Sequence, residues 1–263
     1  MQEAPVKSNH REEEILRELR FAGGSCRIGY LAERLGVSDE TVRRNIKALQ
    51  AKSQVRKVHG GVLLSEELTL TEQPFQTRMS RNANAKRRIG AKLAEIISDG
   101  DSLFLDIGST TAYAAQSLTS HRDLYVVTNS LSVASTLATI NGNRVFFAGG
   151  ELRRHDGGSF GNDAITFISR FNVQYAVFSA GAINGDVGFM LHDIQESDLS
   201  REAAARARTR IVLADSEKFN RRAPIVVSNQ SDLDILITES PPSSEISTML
   251  DRNEISLVLT DKE

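Results

Sequence analysis

The chain has 263 residues, 40% of them hydrophobic and 25% charged, with a net charge of −2, five histidines and a single cysteine. This is the composition of an ordinary globular protein, and it excludes extended disorder, an internal disulfide and a cysteine-rich zinc site. No apolar run approaches the ~20 residues a membrane span needs, and the charged stretch Met1 to Arg20 lacks the apolar core of a secretory signal, so a cytoplasmic location without membrane contact is expected.

Charge is divided unevenly along the chain. Up to Leu64 there are twelve lysines and arginines against eight acids, and beyond it twenty against twenty-six. A basic module on an acidic body points to a polyanion partner for the small part alone. Between Arg43 and His59 stand six bases and no acid.

Three helical patterns open the chain. Ile15, Leu16 and Leu19 mark the first, which Gly23-Gly24 ends; Ile28, Leu31, Ala32 and Leu35 mark a second that stops at Gly36. Cys26 falls between them as a small buried hydrophobe. Ser38 is placed to cap a third helix with Val42, Ile46 and Leu49 on its inner face. Short helix, glycine turn and second helix is the helix-turn-helix layout. The outer face of the third helix then carries Thr41, Arg43, Arg44 and Lys47. Cations there neutralise phosphates, while Thr41, Arg44 and Asn45 suit base edges in a major groove. Val55-Arg56-Lys57-Val58, the turn His59-Gly60-Gly61, and Val62-Leu63 read as a hairpin wing that brings Arg56 and Lys57 to backbone phosphate or a minor groove. The expected DNA-reading set is therefore Ser38, Thr41, Arg43, Arg44, Asn45, Lys47, Arg56, Lys57 and His59.

These segments resemble a known family. "LAERLGVSDETVRRNIKAL" followed by "VRKVHGGV" is similar to the DeoR family of bacterial sugar-catabolism regulators, in which an aspartate usually stands where this chain has Asn45.

Glu66 to Ser80 is polar, contains Pro74 and lacks periodicity, which predicts a connector. Past it, Lys86 to Ser98 is an amphipathic helix. Short apolar runs then recur at Leu103–Ile107, Leu124–Val127, Val145–Ala148, Tyr175–Ser179, Ile211–Ala214 and Ile235–Thr238, separated by helix-length segments. Such runs are strands of a mostly parallel sheet buried on both faces. The expected architecture is α/β, with a winged helix-turn-helix at 8–64, a connector at 65–80 and the sheet domain at 81–260.

Ligands of such sheets gather beyond the carboxyl ends of the strands. There stand Asp106, Gly108, Ser109, Thr110 and Thr111, then Thr128 and Asn129, then Gly150, and finally Lys218. Gly108 to Thr111 combine a close-approaching glycine, hydroxyls and a helix start, which together make an anion cradle; a simple helix cap is the plainer alternative. Neither a P-loop nor a dinucleotide glycine motif is present. Asp193 and Glu196 precede a helical stretch, Ser197 to Arg208, and either cap it or face the ligand. The histidines, His155 beside Asp156 included, show no metal-ligand spacing, and neither metal nor cofactor is expected.

The same resemblance runs through "LDIGSTT", "VVTNS", "FAGGELR", "FSAGAI" and "LADSEKF", the signatures of a sensor domain similar to ribose-phosphate isomerases. It implies that Gly108 to Thr111 hold a phosphate, that Asn129 and Gly150 line the pocket, and that Lys218 supplies a cation. "GGELRRHDGGSFG" and "FISRF" point, within the family, to glycerol 3-phosphate as effector. Ser200 stands where relatives often carry lysine, and Ala180 to Asn184 depart from the usual serine-glycine-isoleucine-aspartate. The function implied is an operator-binding repressor, homo-oligomeric and not an enzyme, whose partners are double-stranded DNA and a phosphorylated sugar or polyol that relieves repression. Two alternatives stand beside it: a sugar-phosphate isomerase using Asp193, Glu196 and Lys218, and a DNA binder whose body serves oligomerisation alone.

Overall fold

In the computed structural model, which describes residues 10–22, 25–51, 55–58, 61–64, 72–227 and 233–261, the chain divides into two compact units, Met1–Thr69 and Leu70–Glu263. No helix among the described residues is long and apolar enough to cross a membrane.

The first unit holds helix α1 (His10–Phe21), strand β1 (Ser25–Arg27), helices α2 (Ile28–Leu35) and α3 (Asp39–Ala51), and strands β2 (Val55–Val58) and β3 (Gly61–Leu64). Its core joins Ile15, Leu19, Leu31, Val42, Ile46 and Leu49 to Val55 and Val62, the positions the periodicity selects. Between α2 and α3, Gly36 takes φ 62° and donates its N–H to the carbonyls of Ala32 and Glu33. A side chain there would be strained. Strand β1 is an addition to the expected elements. It pairs with β3, Cys26 opposite Val62, so Cys26 belongs to a three-stranded sheet and is not wedged between two helices. The cysteine is half-buried, and burial first, then the charge of Glu18, pushes its thiol up to about 11. The wing exists as β2 paired with β3, Val58 opposite Gly61; His59 lies outside the described residues.

In the second unit, part of the expected connector is a helix, α4 (Phe75–Ser80), with Phe75 and Arg78 buried. There follow α5 (Ala83–Ile96), β4 (Ser102–Leu105), α6 (Ser109–Ser117), β5 (Tyr125–Thr128), α7 (Leu131–Leu137), β6 (Arg144–Phe147), α8 (Asn162–Ile168) and β7 (Val173–Ser179). Next come β8 (Ala182–Asn184), β9 (Gly188–Leu191), α9 (Ile194–Ala205), β10 (Ala207–Leu213), β11 (Ile225–Val226), β12 (Ile235–Thr238), α10 (Ser244–Arg252) and β13 (Ser256–Leu259). Seven strands form one sheet in the order β13-β12-β10-β7-β4-β5-β6, with every pairing parallel. The runs are apolar because both faces are covered. Leu103 and Leu105 pack with α5, α6 and α7 through Leu93, Ala114 and Val133, while Phe104 between them packs with Ile168 of α8 and Leu199 of α9.

From β4 the chain proceeds outward to β5 and β6, then returns past β4 to build β7, β10, β12 and β13 on its other side. The order therefore reverses between β4 and β7. At such a point the loops leave in opposite directions and open a crevice at the carboxyl ends of the strands.

Candidate functional site

Helix α3 presents Arg43, Arg44 and Lys47 outward, and β2 presents Arg56 and Lys57; all five are exposed, and none is paired with a carboxylate among the described residues. Unpaired cations on one helix and an adjoining hairpin are an electrostatic footprint for phosphates. Ser38 caps α3: its Oγ accepts the Thr41 N–H at 3.3 Å and lies 3.0 Å from the Thr41 hydroxyl. Both residues stay on the surface, but their hydroxyls first serve the cap. Asn45 does not belong to this face. It is 5% exposed, and its Nδ2 donates to the Thr41 carbonyl at 2.8 Å, so the side chain fastens α3 internally.

The crevice between β4 and β7 is a small pocket. Its floor is Asp106, Ile107 and Gly108 from the end of β4, with Ser179 and Gly181 from the end of β7. Glu196 of α9, Asp156 of the preceding loop, and Glu72 and Arg78 from the start of the unit complete its polar wall. Gly108 is required by close approach: a Cβ there would stand 2.2 Å from Ser179 Oγ and 3.0 Å from Thr111 Oγ1. Beyond it the first turn of α6 carries Ser109, Thr110 and Thr111, all buried. Thr111 donates back to the Gly108 carbonyl at 3.0 Å. The hydroxyls of Ser109 and Thr110 make no hydrogen bond among the described residues, so two donors and the open N–H groups of a helix start remain for an anion.

A loop of β6, residues 149–160, is closed onto α9 by Arg153. Its guanidinium contacts Asp156 at 2.5 Å, Asp193 at 3.3 Å and Glu196, and lies 4.1 Å from the Phe160 ring centroid. Burial works against this charge, but the bonds to Asp156 and Glu196 more than offset it and raise its pKa. Glu196 itself is pushed up to about 7, by burial first and then by the charge of Glu72, against the pull of Arg153. Burial likewise lifts Asp106 to about 6, although Ser200 donates to its Oδ2 at 2.9 Å and the Ile107 N–H to its Oδ1 at 2.7 Å. Lys218 sits in a short 3-10 turn, Ser216–Lys218, after β10. Burial lowers its pKa, against the charges of Glu72 and Asp215 and with that of Arg78; it is not among the lining residues.

The expected ligand residues thus separate. Asp106, Gly108 and Glu196 line the pocket, Ser109 and Thr110 follow directly on Gly108, and Lys218 lies outside the lining, within the field of Glu72. Asn129, fully buried, accepts the Ile107 N–H at 3.0 Å and shapes the floor from behind. Thr128 donates to the Leu105 carbonyl at 2.6 Å and accepts the Ser130 N–H at 3.0 Å, so its hydroxyl is committed to joining β4 and β5. Asp193 caps α9 through the N–H groups of Gln195 and Glu196, at 2.8 and 3.3 Å, and pairs with Arg153. Gly150 is exposed on the loop, φ 117°, and is not part of the lining. Sequence reasoning passed over Glu72, Arg78, Arg153 and Ser179. For Arg153 a signal existed, a base three residues before Asp156 in a glycine-rich loop after a strand; for Glu72 and Arg78 there was none.

Residues 11–67 match the domain family described as DeoR-like helix-turn-helix domain, and residues 81–240 match DeoR C terminal sensor domain. The chain is 33% identical over 254 residues to the glycerol-3-phosphate regulon repressor of Escherichia coli K12, covering 97% of this chain and 100% of that protein. It is 31% identical over 258 residues to the HTH-type transcriptional repressor CsqR of the same organism, covering 98% of each. A solved ribose 5-phosphate isomerase from Plasmodium falciparum is similar at a TM-score of 0.36 and 11% identity over 52% of each chain.

Proposed function

The chain belongs to the DeoR family of transcriptional regulators, and on that premise we propose that it is an operator-binding repressor of a sugar or polyol catabolic operon, released by a phosphorylated effector. The observation that carries the reading is the unpaired basic face of Arg43, Arg44 and Lys47 on α3, set beside Arg56 and Lys57 of the wing. These residues supply phosphate contacts, with Arg44 the forked donor for a base edge. Acting on DNA and on a metabolite, it works in the cytoplasm on this reading.

The pocket at the strand switch suits a small anion bearing hydroxyls. The α6 start and Lys218 receive the phosphate, and the carboxyls of Asp106 and Glu196 accept hydroxyl donors from the rest of the molecule. Glycerol 3-phosphate leads the candidates, because the repressor named for its regulon is similar over nearly the whole chain. Release requires that the effector bind the DNA-free state more tightly, and a hundredfold preference corresponds to about 2.7 kcal/mol. Homo-oligomers would set two α3 helices on repeated half-sites.

Operator binding is to be followed while glycerol 3-phosphate, fructose phosphates or ribose 5-phosphate are added. Arg44→Ala lowers operator affinity and reduces the salt slope by about 1, with effector binding intact; unchanged operator affinity overturns the α3 assignment. Thr110→Ala with Lys218→Ala retains DNA binding and loses release by effector. Turnover of ribose 5-phosphate by the purified chain would restore the isomerase reading. Asp193 of the acid–base set speaks against it, since its carboxylate is engaged as a helix cap.

A further inference from the structure

Four carboxylates line the pocket, and they are held very differently. Asp106 is fixed by Ser200 and the Ile107 N–H. Asp156 is fixed by Arg153 and the Gly158 N–H, the latter at 3.1 Å. Glu196 is carried in the first turn of α9 and paired with Arg153. Glu72 lies in neither helix nor strand, and its one hydrogen-bonding or ion-pair partner among the described residues is Arg78, Oε1 to Nη1 at 2.9 Å.

Arg78 is anchored from behind. The backbone of α4 is tied to α5 and α6: Lys86 Nζ donates to the carbonyls of Arg78 and Arg81, the second at 2.9 Å, and Tyr113 Oη donates to the Met79 carbonyl at 3.0 Å. Arg81 adds an ion pair to Glu217. From that fixed base the Arg78 head group reaches toward the N-terminus, where its Nε donates to the Gln73 carbonyl at 3.0 Å and its Nη1 holds Glu72. Among the described residues, the side-chain bonds to residues 72 and 73 therefore run to one guanidinium. These residues also follow closely on the division of the chain at Thr69 and Leu70.

A phosphate entering this pocket meets a guanidinium already occupied by a carboxylate. Guanidinium binds phosphate through two parallel hydrogen bonds, and Glu72 left in place would repel the newcomer. Of the four carboxylates, Glu72 is the one whose departure breaks no fixed element. Resting on the effector reading above, we infer that the ligand phosphate takes Arg78 from Glu72 and so unfastens residues 72 and 73, making the Glu72–Arg78 pair the contact through which ligand binding acts on the connector to the DNA reader.

The exchange is tested on the full chain with glycerol 3-phosphate as probe and glycerol as control. Backbone motion at Glu72 and Gln73, followed by NMR relaxation, rises when glycerol 3-phosphate binds and is unmoved by glycerol. Glu72→Gln keeps shape and loses charge, so it binds glycerol 3-phosphate roughly fivefold to tenfold more tightly, because the ligand no longer competes with an anion for Arg78. Its operator affinity without ligand falls toward the ligand-released value, and the remaining ligand response shrinks. Unchanged or reduced motion at Glu72 and Gln73 in a wild-type chain that binds the probe overturns the inference, as does an equal or weaker affinity in Glu72→Gln. A wild-type chain that binds none of the phosphates named above, and is released by none, overturns the pocket reading itself.

Discussion

Asn45 is turned away from the reading face by burial and by its hydrogen bond to the Thr41 carbonyl. It stands three residues after Val42 and next to Ile46, at the margin of the apolar seam, where charge and periodicity leave its direction open. Burial and the 2.8 Å bond to Thr41 turn it inward. Asn45→Ala is accordingly expected to destabilise the first unit by about 1 kcal/mol in thermal unfolding, with base preference unchanged in selection against randomised operators. A shifted preference would return Asn45 to the DNA surface. Glu196 carries a different consequence. Its carboxyl is raised from 4.5 to about 7, so the folded chain holds that proton more firmly than the unfolded one, and stability is lost as pH rises through this window. The charge that appears also opposes an anionic ligand. The affinity of Glu196→Gln for glycerol 3-phosphate, divided by that of the wild type, should therefore grow between pH 6 and pH 8, with the ligand's own titration cancelling. A ratio constant across that range would mean that Glu196 does not face the ligand.

Gly108 joins two elements, α6 and β7, at the place where they close on each other. An added Cβ would meet Ser179 Oγ at 2.2 Å and Ser179 Cβ at 3.0 Å. The hydroxyl can rotate away, but the backbone of β7 cannot, so Gly108→Ala is expected to cost about 1–3 kcal/mol of stability and to weaken effector binding, as seen in denaturant titration and calorimetry. Full stability would show that the two elements have room to separate. Six of the seven parallel strands could be read from the sequence, because burial on both faces leaves an unbroken apolar run such as Phe104 between Leu103 and Leu105. Strand β13 could not: it lies at the sheet edge with Leu257 and Leu259 exposed, and a run of four resembles a helix end as much as a strand. Strands β1, β8, β9 and β11 have two to four residues each; β8 and β9 form a local hairpin, while β1 and β11 take their form from partners remote in sequence, Cys26 from Val62 and Ile225 from Leu191. The pocket was legible where it follows strands, at Asp106 and Gly108. It was silent where a polar segment supplied Glu72 from irregular chain and Arg78 from the short helix α4.

Each unit of the whole molecule has its own apolar core, the first built from Ile15 to Leu64 and the second from clusters on both faces of the seven-stranded sheet. Calorimetry should resolve two transitions. Glycerol 3-phosphate at about 100 times its Kd adds about 2.7 kcal/mol to the second unit alone; equal movement of both transitions would contradict a ligand site confined to that unit. The division of charge follows the same boundary, with the basic surplus on the reader and the acidic surplus on the sensor, so raised salt weakens operator binding far more than it weakens the protein. The chain's one sulfhydryl lies on the reader's side of that boundary, in β1. With its pKa raised to about 11, on the order of one molecule in ten thousand carries a thiolate at neutral pH, so Cys26 is a poor target for peroxides and alkylating agents. On the function proposed above, control then rests with the ligand of the sensor and not with this thiol.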